Sequence, residues 1–351
     1  MHSLNAGGIE NYLLRFLEFK RDGLDATVYC KSGELGQLLD RYKSLDIEIV
    51  ANKLSYLNPF GYCKLYFFLK NENYSSVTDF TGNFGALVLM ISQLAGIKTR
   101  IAFYRNSSNR FKGNRLKLWL NSFFNKSIRK SATNILANSK YAFEFFFDGN
   151  IDSRFQVIQN GINVNSLSKG DNYLTRSHIG VPDNAIVIGN VGRYVEAKNH
   201  KVILSVLQRL QDQDDFVYLV LCGKGVDNQL IDNFSIDKGR VKALGYRNDI
   251  MNILPLLDIF FFPSITEGQP NALIEAMANG LPFVASNIEP IVDTVPDSRL
   301  GDLYAYDDVD SFVDALNSKI KLLKGKDEEL RQWTLNRYNS GVNFDKYYDI
   351  L

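Results

Sequence analysis

Cysteine is scarce in this chain. Only Cys30, Cys63 and Cys222 occur among 351 residues, too scattered for a CxxC metal knuckle and odd in number for a set of bridges, so a reducing compartment is the simplest reading. Long apolar runs are missing as well. The most apolar stretch, Phe84 to Ile97, is broken by Ser92 and Gln93 and falls short of the roughly 20 residues that cross a bilayer. The N-terminus, MHSLNAGGIE, has no positive region followed by an apolar run, so a secretory signal is not expected and a cytoplasmic location follows. Net charge is nearly absent, with 40 basic against 39 acidic side chains. What is present, 45% hydrophobic and 13% aromatic residues, excludes disorder, collagen and a small disulfide scaffold.

The balanced total hides an asymmetry. Residues 1–165 sum to about +8 and residues 166–351 to about −7. From Phe80 to Phe143 there is no Asp or Glu, a field that suits an anionic partner. Between Phe111 and Lys130, Leu116, Trp119, Leu120 and Phe123 fall at helical spacing among Lys112, Arg115, Lys117, Lys126 and Arg129. That pattern fits a helix lying on an anionic membrane surface, with region 98–130 as the contact, and equally a core-packed helix with a basic solvent face. Nucleic acid is not expected, since no recognised binding module accompanies the patch.

Short β-branched and aromatic runs alternate with amphipathic stretches throughout, which predicts parallel α/β architecture in two sheets. Strands are expected at Ala26–Tyr29, Ile47–Val50, Ser76–Phe80, Thr99–Phe103, Asn134–Ala137 and Gln156–Gln159, then at Ala185–Asn190, Phe216–Cys222, Val241–Leu244, Ile259–Phe262 and Pro282–Ser286. Val164 to Thr175 lacks periodicity and reads as a linker. Domains are therefore expected over 1–165 and 166–335, with a terminal helix at 336–351 packing back toward the first. The front departs from the usual doubly wound pattern, because only Met1 to Leu4 precede the Gly7-Gly8 turn. The buried strand that normally comes first is either very short or lost.

Asp258 to Ser286, DIFFFPSITEGQPNALIEAMANGLPFVAS, carries the most chemistry. Ile259–Phe262 reads as a buried strand, Pro263 to Gln269 as a loop, and Pro270 as the first residue of a helix of about ten residues ended by Gly280. The first turn would aim the N–H groups of Asn271, Ala272 and Leu273 at the carboxyl end of a parallel strand, an anion site most simply for phosphate. Glu267 lies just before this helix and Glu275 in its second turn, from which its side chain leans back toward the N-terminus. Carboxylates would repel the phosphate, so they suit neutral hydroxyls on either side of it, those of a sugar and a ribose.

With its Glu-x7-Glu pattern of Glu267 and Glu275 in the frame EGxPxxxxEAxAxGxPxVAS, the chain resembles the retaining glycosyltransferases of family 4, the group 1 glycosyl transferases. The resemblance implies the GT-B fold, two Rossmann-like parallel-sheet domains facing a cleft. It implies that Glu267 contacts the donor sugar and Glu275 the ribose, with Gly268 in the same loop. Gly192-Arg193-Tyr194-Val195-Glu196-Ala197-Lys198 is similar to the family's donor-phosphate clamp, so Arg193, Lys198 and Glu267 are the expected catalytic residues. Gly223 and Tyr246 would line the nucleotide pocket, and Gly8 would approach the donor from the first domain. The implied reaction moves a sugar from a nucleoside diphosphate sugar to a hydroxyl of a polysaccharide or glycolipid, with retention of configuration, no metal and no resident cofactor. Asp212-Gln213-Asp214 and Asp308-Val309-Asp310 have Asp-x-Asp spacing, but neither follows a strand at the expected crevice. Where many relatives place an acceptor-side histidine this chain has Phe103, Tyr104 and Arg105, so Asp79, Arg105 and Asn106 are the candidates there. A non-catalytic nucleotide-sugar-binding protein of the same fold is the alternative. A nicotinamide-dependent dehydrogenase is a distant third, since no GxGxxG follows a strand.

Overall fold

The structure, a computed structural model, describes residues 1–5, 7–55, 59–105, 115–162, 174–213, 216–227 and 236–351, with backbone only for 115–121. Contacts divide it into two compact units, Met1–Gly161 with Gly341–Leu351, and Ile162–Ser340. Residues 164–173 of the expected linker, Asn106, Lys112 and Asp214 lie outside the described residues.

In the first unit, strands β1 (Thr27–Cys30) and β2 (Glu48–Ala51) form one parallel pair, and β3 (Ser76–Asp79), β4 (Thr99–Tyr104), β5 (Asn134–Ala137) and β6 (Phe155–Val157) form a parallel sheet in that order. Helices α1 (Gly8–Phe19), α2 (Leu39–Lys43), α3 (Pro59–Asn71), α4 (Ala86–Leu94), α5 (Arg115–Ser131) and α6 (Lys140–Phe147) alternate with them. The periodicity of α1 is complete, with Tyr12, Leu13, Phe16 and Leu17 buried. The expected front strand is not formed by Met1 to Leu4, although Met1 and Leu4 are buried.

The second unit is one parallel six-stranded sheet. Its strands are β7 (Ile186–Val191), β8 (Val217–Cys222), β9 (Val241–Ala243), β10 (Ile259–Phe262), β11 (Phe283–Ser286) and β12 (Leu303–Tyr304), ordered β12-β11-β10-β7-β8-β9. Its helices are α7 (His200–Gln211), α8 (Ile250–Ile253), α9 (Asn271–Ala278), α10 (Glu289–Val292), α11 (Val309–Lys321) and α12 (Glu328–Arg337). Strand β10 explains why IFFF reads as continuous rather than alternating. Phe260 and Phe262 join the core that holds Leu273, Met277 and Tyr338, while Ile259 and Phe261 join the one that holds Leu207 and Phe312. A central parallel strand is covered on both faces, so every position is apolar, and each buried Phe contributes about 2–3 kcal/mol.

The final helix, α13 (Ser340–Tyr348), belongs to the first unit over most of its length. Phe344 meets Tyr12 edge-on at 5.5 Å between ring centroids, and Tyr347 meets Phe16 at 4.6 Å.

Candidate active site

Three loops at the carboxyl ends of β7, β8 and β10 build the site of the second unit, where open parallel sheets receive ligands. Gly192 follows β7 and donates its N–H to the Cys222 carbonyl at 2.8 Å, and Gly223 donates to the Gly245 carbonyl at 2.7 Å. These approaches are possible only for glycine at 223, where a Cβ would stand 1.9 Å from the Gly192 oxygen. Beyond them Tyr246 is exposed, and Arg247 is paired with Asp249.

Lys198 and Glu267 meet although 69 positions apart: Nζ lies 2.5 Å from Oε1, with both side chains mostly buried. The ammonium also sits 4.8 Å from the centroid of the Phe262 ring, and its stem packs on Gly192, where a Cβ would come within 3.1 Å. Arg193 is exposed on the same loop. The two halves of the site are tied by backbone, since Ile265 N–H donates to the Ala197 carbonyl at 2.9 Å.

Helix α9 begins one residue later than expected. Pro270 is its N-cap rather than its first turn, the helix has eight residues, and the Asn271 N–H donates to the Gln269 carbonyl at 3.0 Å. Asn271 is thereby engaged within the loop, a correction to the expected trio of offered amides that leaves Ala272 and Leu273 at the helix start. The reason is local: proline fixes only its own φ, and a ψ of 81° turns Pro270 out of the helix. Gly280, at φ +67°, ends the turn as expected, with Leu281 N–H reaching the Ala276 carbonyl at 3.1 Å. Glu275, half-buried, stands in the second turn.

One positioning residue, Asn199, escapes a reading by motif, whereas Ser286 closes the Glu-x7-Glu frame. Asn199 adopts a left-handed conformation, φ +56°, and its amide donates to the carbonyls of Pro263 (3.0 Å) and Tyr306 (2.7 Å). It pins the Lys198 turn to the Glu267 loop, and an asparagine directly before a helix was its only sequence signal. Ser286 donates to the Ser264 carbonyl at 2.6 Å. His200 is buried edge-on to Tyr194 with neither ring nitrogen hydrogen-bonded. Burial, and then the neighbouring Lys198, lowers its pKa to about 4.

The remaining expected site residues lie in the first unit. Gly8 opens α1, and a Cβ there would meet nothing within 4 Å. Asp79 is buried and accepts from Lys31 Nζ at 2.6 Å and from the Thr81 N–H at 2.7 Å. Burial opposes its ionisation, but Lys31, the Met1 amine and Thr81 together hold its carboxyl below the ordinary range. Arg105 is buried over the Tyr12 ring, 3.7 Å from its centroid, and donates to Asn160; burial, chiefly, lowers its pKa to about 10.

Known proteins share this fold. Anabaena HepE in complex with UDP-glucose superposes with a TM-score of 0.79 at 17% identity, covering 99% of this chain and 97% of that one; WaaG, a glycosyltransferase involved in lipopolysaccharide biosynthesis, gives 0.68 at 15% identity, over 99% and 94%. The fold is GT-B. Residues 185–321 match the family model for glycosyl transferases group 1. The UDP-Gal:alpha-D-GlcNAc-diphosphoundecaprenol alpha-1,3-galactosyltransferase of Escherichia coli is 27% identical, covering 98% of this chain and 93% of the relative. The N,N'-diacetylbacillosaminyl-diphospho-undecaprenol alpha-1,3-N-acetylgalactosaminyltransferase of Campylobacter jejuni is 26% identical, covering 83% and 80%. Residues 185–321 carry the family match, and the chain is a glycosyltransferase.

Proposed function

We propose that this transferase takes a hexosyl group from a nucleoside diphosphate sugar and places it, with retention, on a hydroxyl of a lipid-linked or polysaccharide acceptor. The observation that carries this reading is the meeting of Lys198 and Glu267 beside the start of α9. The lipid-diphosphate acceptors in the names of the two relatives support the acceptor class, and their donors make UDP-sugars the first to test.

In this reading the bond from the anomeric carbon to the diphosphate breaks while the bond to the acceptor oxygen forms on the same face. The acceptor's proton goes to the leaving phosphate. Charge therefore grows on the diphosphate, and Lys198, Arg193 and the first-turn amides of α9 at Ala272 and Leu273 answer it without a metal. Lys198 exchanges Glu267 for phosphate as donor enters, which frees Glu267 to accept a sugar hydroxyl. Glu275 accepts from the ribose, and Gly223, Tyr246 and Gly268 border the nucleotide. On the acceptor side Asp79, Arg105 and Asn106 remain the candidates. No described helix is long and apolar enough to cross a membrane, and we place the enzyme on the cytoplasmic face of one, held by the basic region 98–130. Glu275→Ala and Arg193→Ala should each lower turnover by at least about 100-fold; if both leave turnover intact, the site is elsewhere.

A further inference from the structure

The carboxyl ends of β4, β5 and β6 gather buried polar groups that the donor chemistry leaves unused. The register sets Tyr104 opposite Ala137 and Ala137 opposite Val157. Arg105 and Asn138 therefore leave the sheet side by side, and the Asn138 amide donates to the Arg105 carbonyl at 3.5 Å. Through Nη2 the Arg105 guanidinium donates to Asn160 Oδ1, beyond the end of β6. Two strand spacings, about 10 Å, separate β4 from β6. To reach Asn160 the side chain passes the end of β5, where Asn138 and Ser139 lead into α6.

Each of these three residues has a polar atom without a partner. Arg105 Nη1, Asn138 Oδ1 and Ser139 Oγ make no hydrogen bond, although the residues are only 7%, 2% and 3% exposed; native proteins seldom leave buried polar atoms in that state. Ser139 is the N-cap of α6, yet its side chain bonds none of the first-turn amides, and that turn holds no acidic residue to answer the helix dipole. Arg105 is a buried cation without a counter-charge among the described residues. Tyr12 covers one face of its guanidinium at 3.7 Å from the ring centroid, and the charged side chain acting on it is Arg15, a second cation. Its pKa of about 10 keeps it charged at neutral pH, and a buried charge left uncompensated is costly.

We propose that Arg105, Asn138 and Ser139 bind the phosphate that joins the acceptor's sugar to its lipid, together with a hydroxyl of that sugar. Arg105 Nη1 and the Ser139 hydroxyl donate to phosphate oxygens at the positive end of α6. Asn138 Oδ1 can only accept, so it takes the sugar hydroxyl. A glycosyl phosphate carries both groups, whereas a neutral saccharide of the same sugars lacks the anion that the buried guanidinium requires. Asn160 is a positioning residue, holding the guanidinium across β5. The assignment rests on the proposed function, in which the acceptor is lipid-linked, and adds to it the part of the acceptor that is read and two residues, Asn138 and Ser139.

The test is calorimetric titration of the full chain with the α-linked 1-phosphates of N-acetylglucosamine, N-acetylgalactosamine, glucose and galactose, with their methyl glycosides, and with inorganic phosphate. At least one glycosyl phosphate is expected to bind about tenfold or more tighter than its methyl glycoside and than inorganic phosphate. Arg105→Gln should abolish that preference. Ser139→Ala deletes a hydroxyl that has no partner to lose, so it keeps the test open if the arginine variant does not fold, and it should reduce the preference by about threefold or more. Arg193→Ala, in the second unit, should lower turnover and keep the preference. The proposal is overturned if the parent shows no preference, if inorganic phosphate binds as tightly as every glycosyl phosphate, if the preference survives both first-unit variants, or if Arg193→Ala removes it. Melting shifts with nucleotide sugars test the donor reading separately: a phosphate preference lost in Arg105→Gln, in a chain that shifts with no donor, would sustain this site and sink that reading.

Discussion

At the scale of residues, the proposed donor site rests on contacts between parts of the chain far apart in sequence, and their costs separate chemistry from architecture. Lys198→Met leaves Glu267 mostly buried without its 2.5 Å partner. That should cost about 1–3 kcal/mol of stability, alongside a loss of turnover of at least about 100-fold. Asn199→Ala removes the bonds to Pro263 and Tyr306 and puts a poor residue at φ +56°. Denaturant unfolding should show a loss of about 2 kcal/mol, and turnover should fall even though Asn199 is a positioning residue; a variant as stable as the parent would contradict that role. His200 makes a pH prediction. Its folded pKa of about 4 lies below its ordinary value of 6.5, so the unfolded chain binds the extra proton between those values and stability is lost as pH falls through that window. His200→Leu should melt within about 2 °C of the parent at pH 7.5 and lose less on acidification to pH 5. Equal losses would show that the histidine is not the sensitive group.

Elements were legible where burial is two-sided. Every strand expected from the sequence is present within about two residues, and Asn134–Ala137 and Ile259–Phe262 match in full, because a central parallel strand has no polar face to blur its pattern. Strand β12 was not legible, being two residues long. The start of α9 was displaced because a proline before a helix suits both the cap and the first turn, and tertiary bonding decided between them. The Glu pair and the Gly192–Lys198 stretch were readable as motifs, while the Lys198–Glu267 contact and the Asn199 pin were not, since no local pattern encodes a pairing between loops of different strands. Gly280 offers a test at this scale. It sits at φ +67°, and a Cβ would approach the Asp327 carbonyl to 3.0 Å. Gly280→Ala should therefore cost about 2 kcal/mol in equilibrium unfolding; a cost near zero would mean that the end of α9 tolerates another backbone shape.

Across the whole molecule, the basic charge gathers in the first unit's sequence and the proposed donor chemistry in the second. The first asymmetry predicts co-sedimentation with anionic vesicles that weakens with salt. Neutralising Lys126, Arg129 and Lys130 should reduce it, and unchanged sedimentation would remove the membrane surface from the account. The second asymmetry holds the central claim, that this glycosyltransferase binds a nucleotide sugar through side chains and helix amides of the second unit without a metal. The most direct measurement is the ligand-induced melting shift against UDP-, GDP-, ADP- and CMP-linked sugars, in EDTA and again with magnesium. The account predicts a rise of several degrees for one donor, equal in the two conditions and lost in Arg193→Ala. A folded sample that shifts with none of them, or only when magnesium is present, would contradict it.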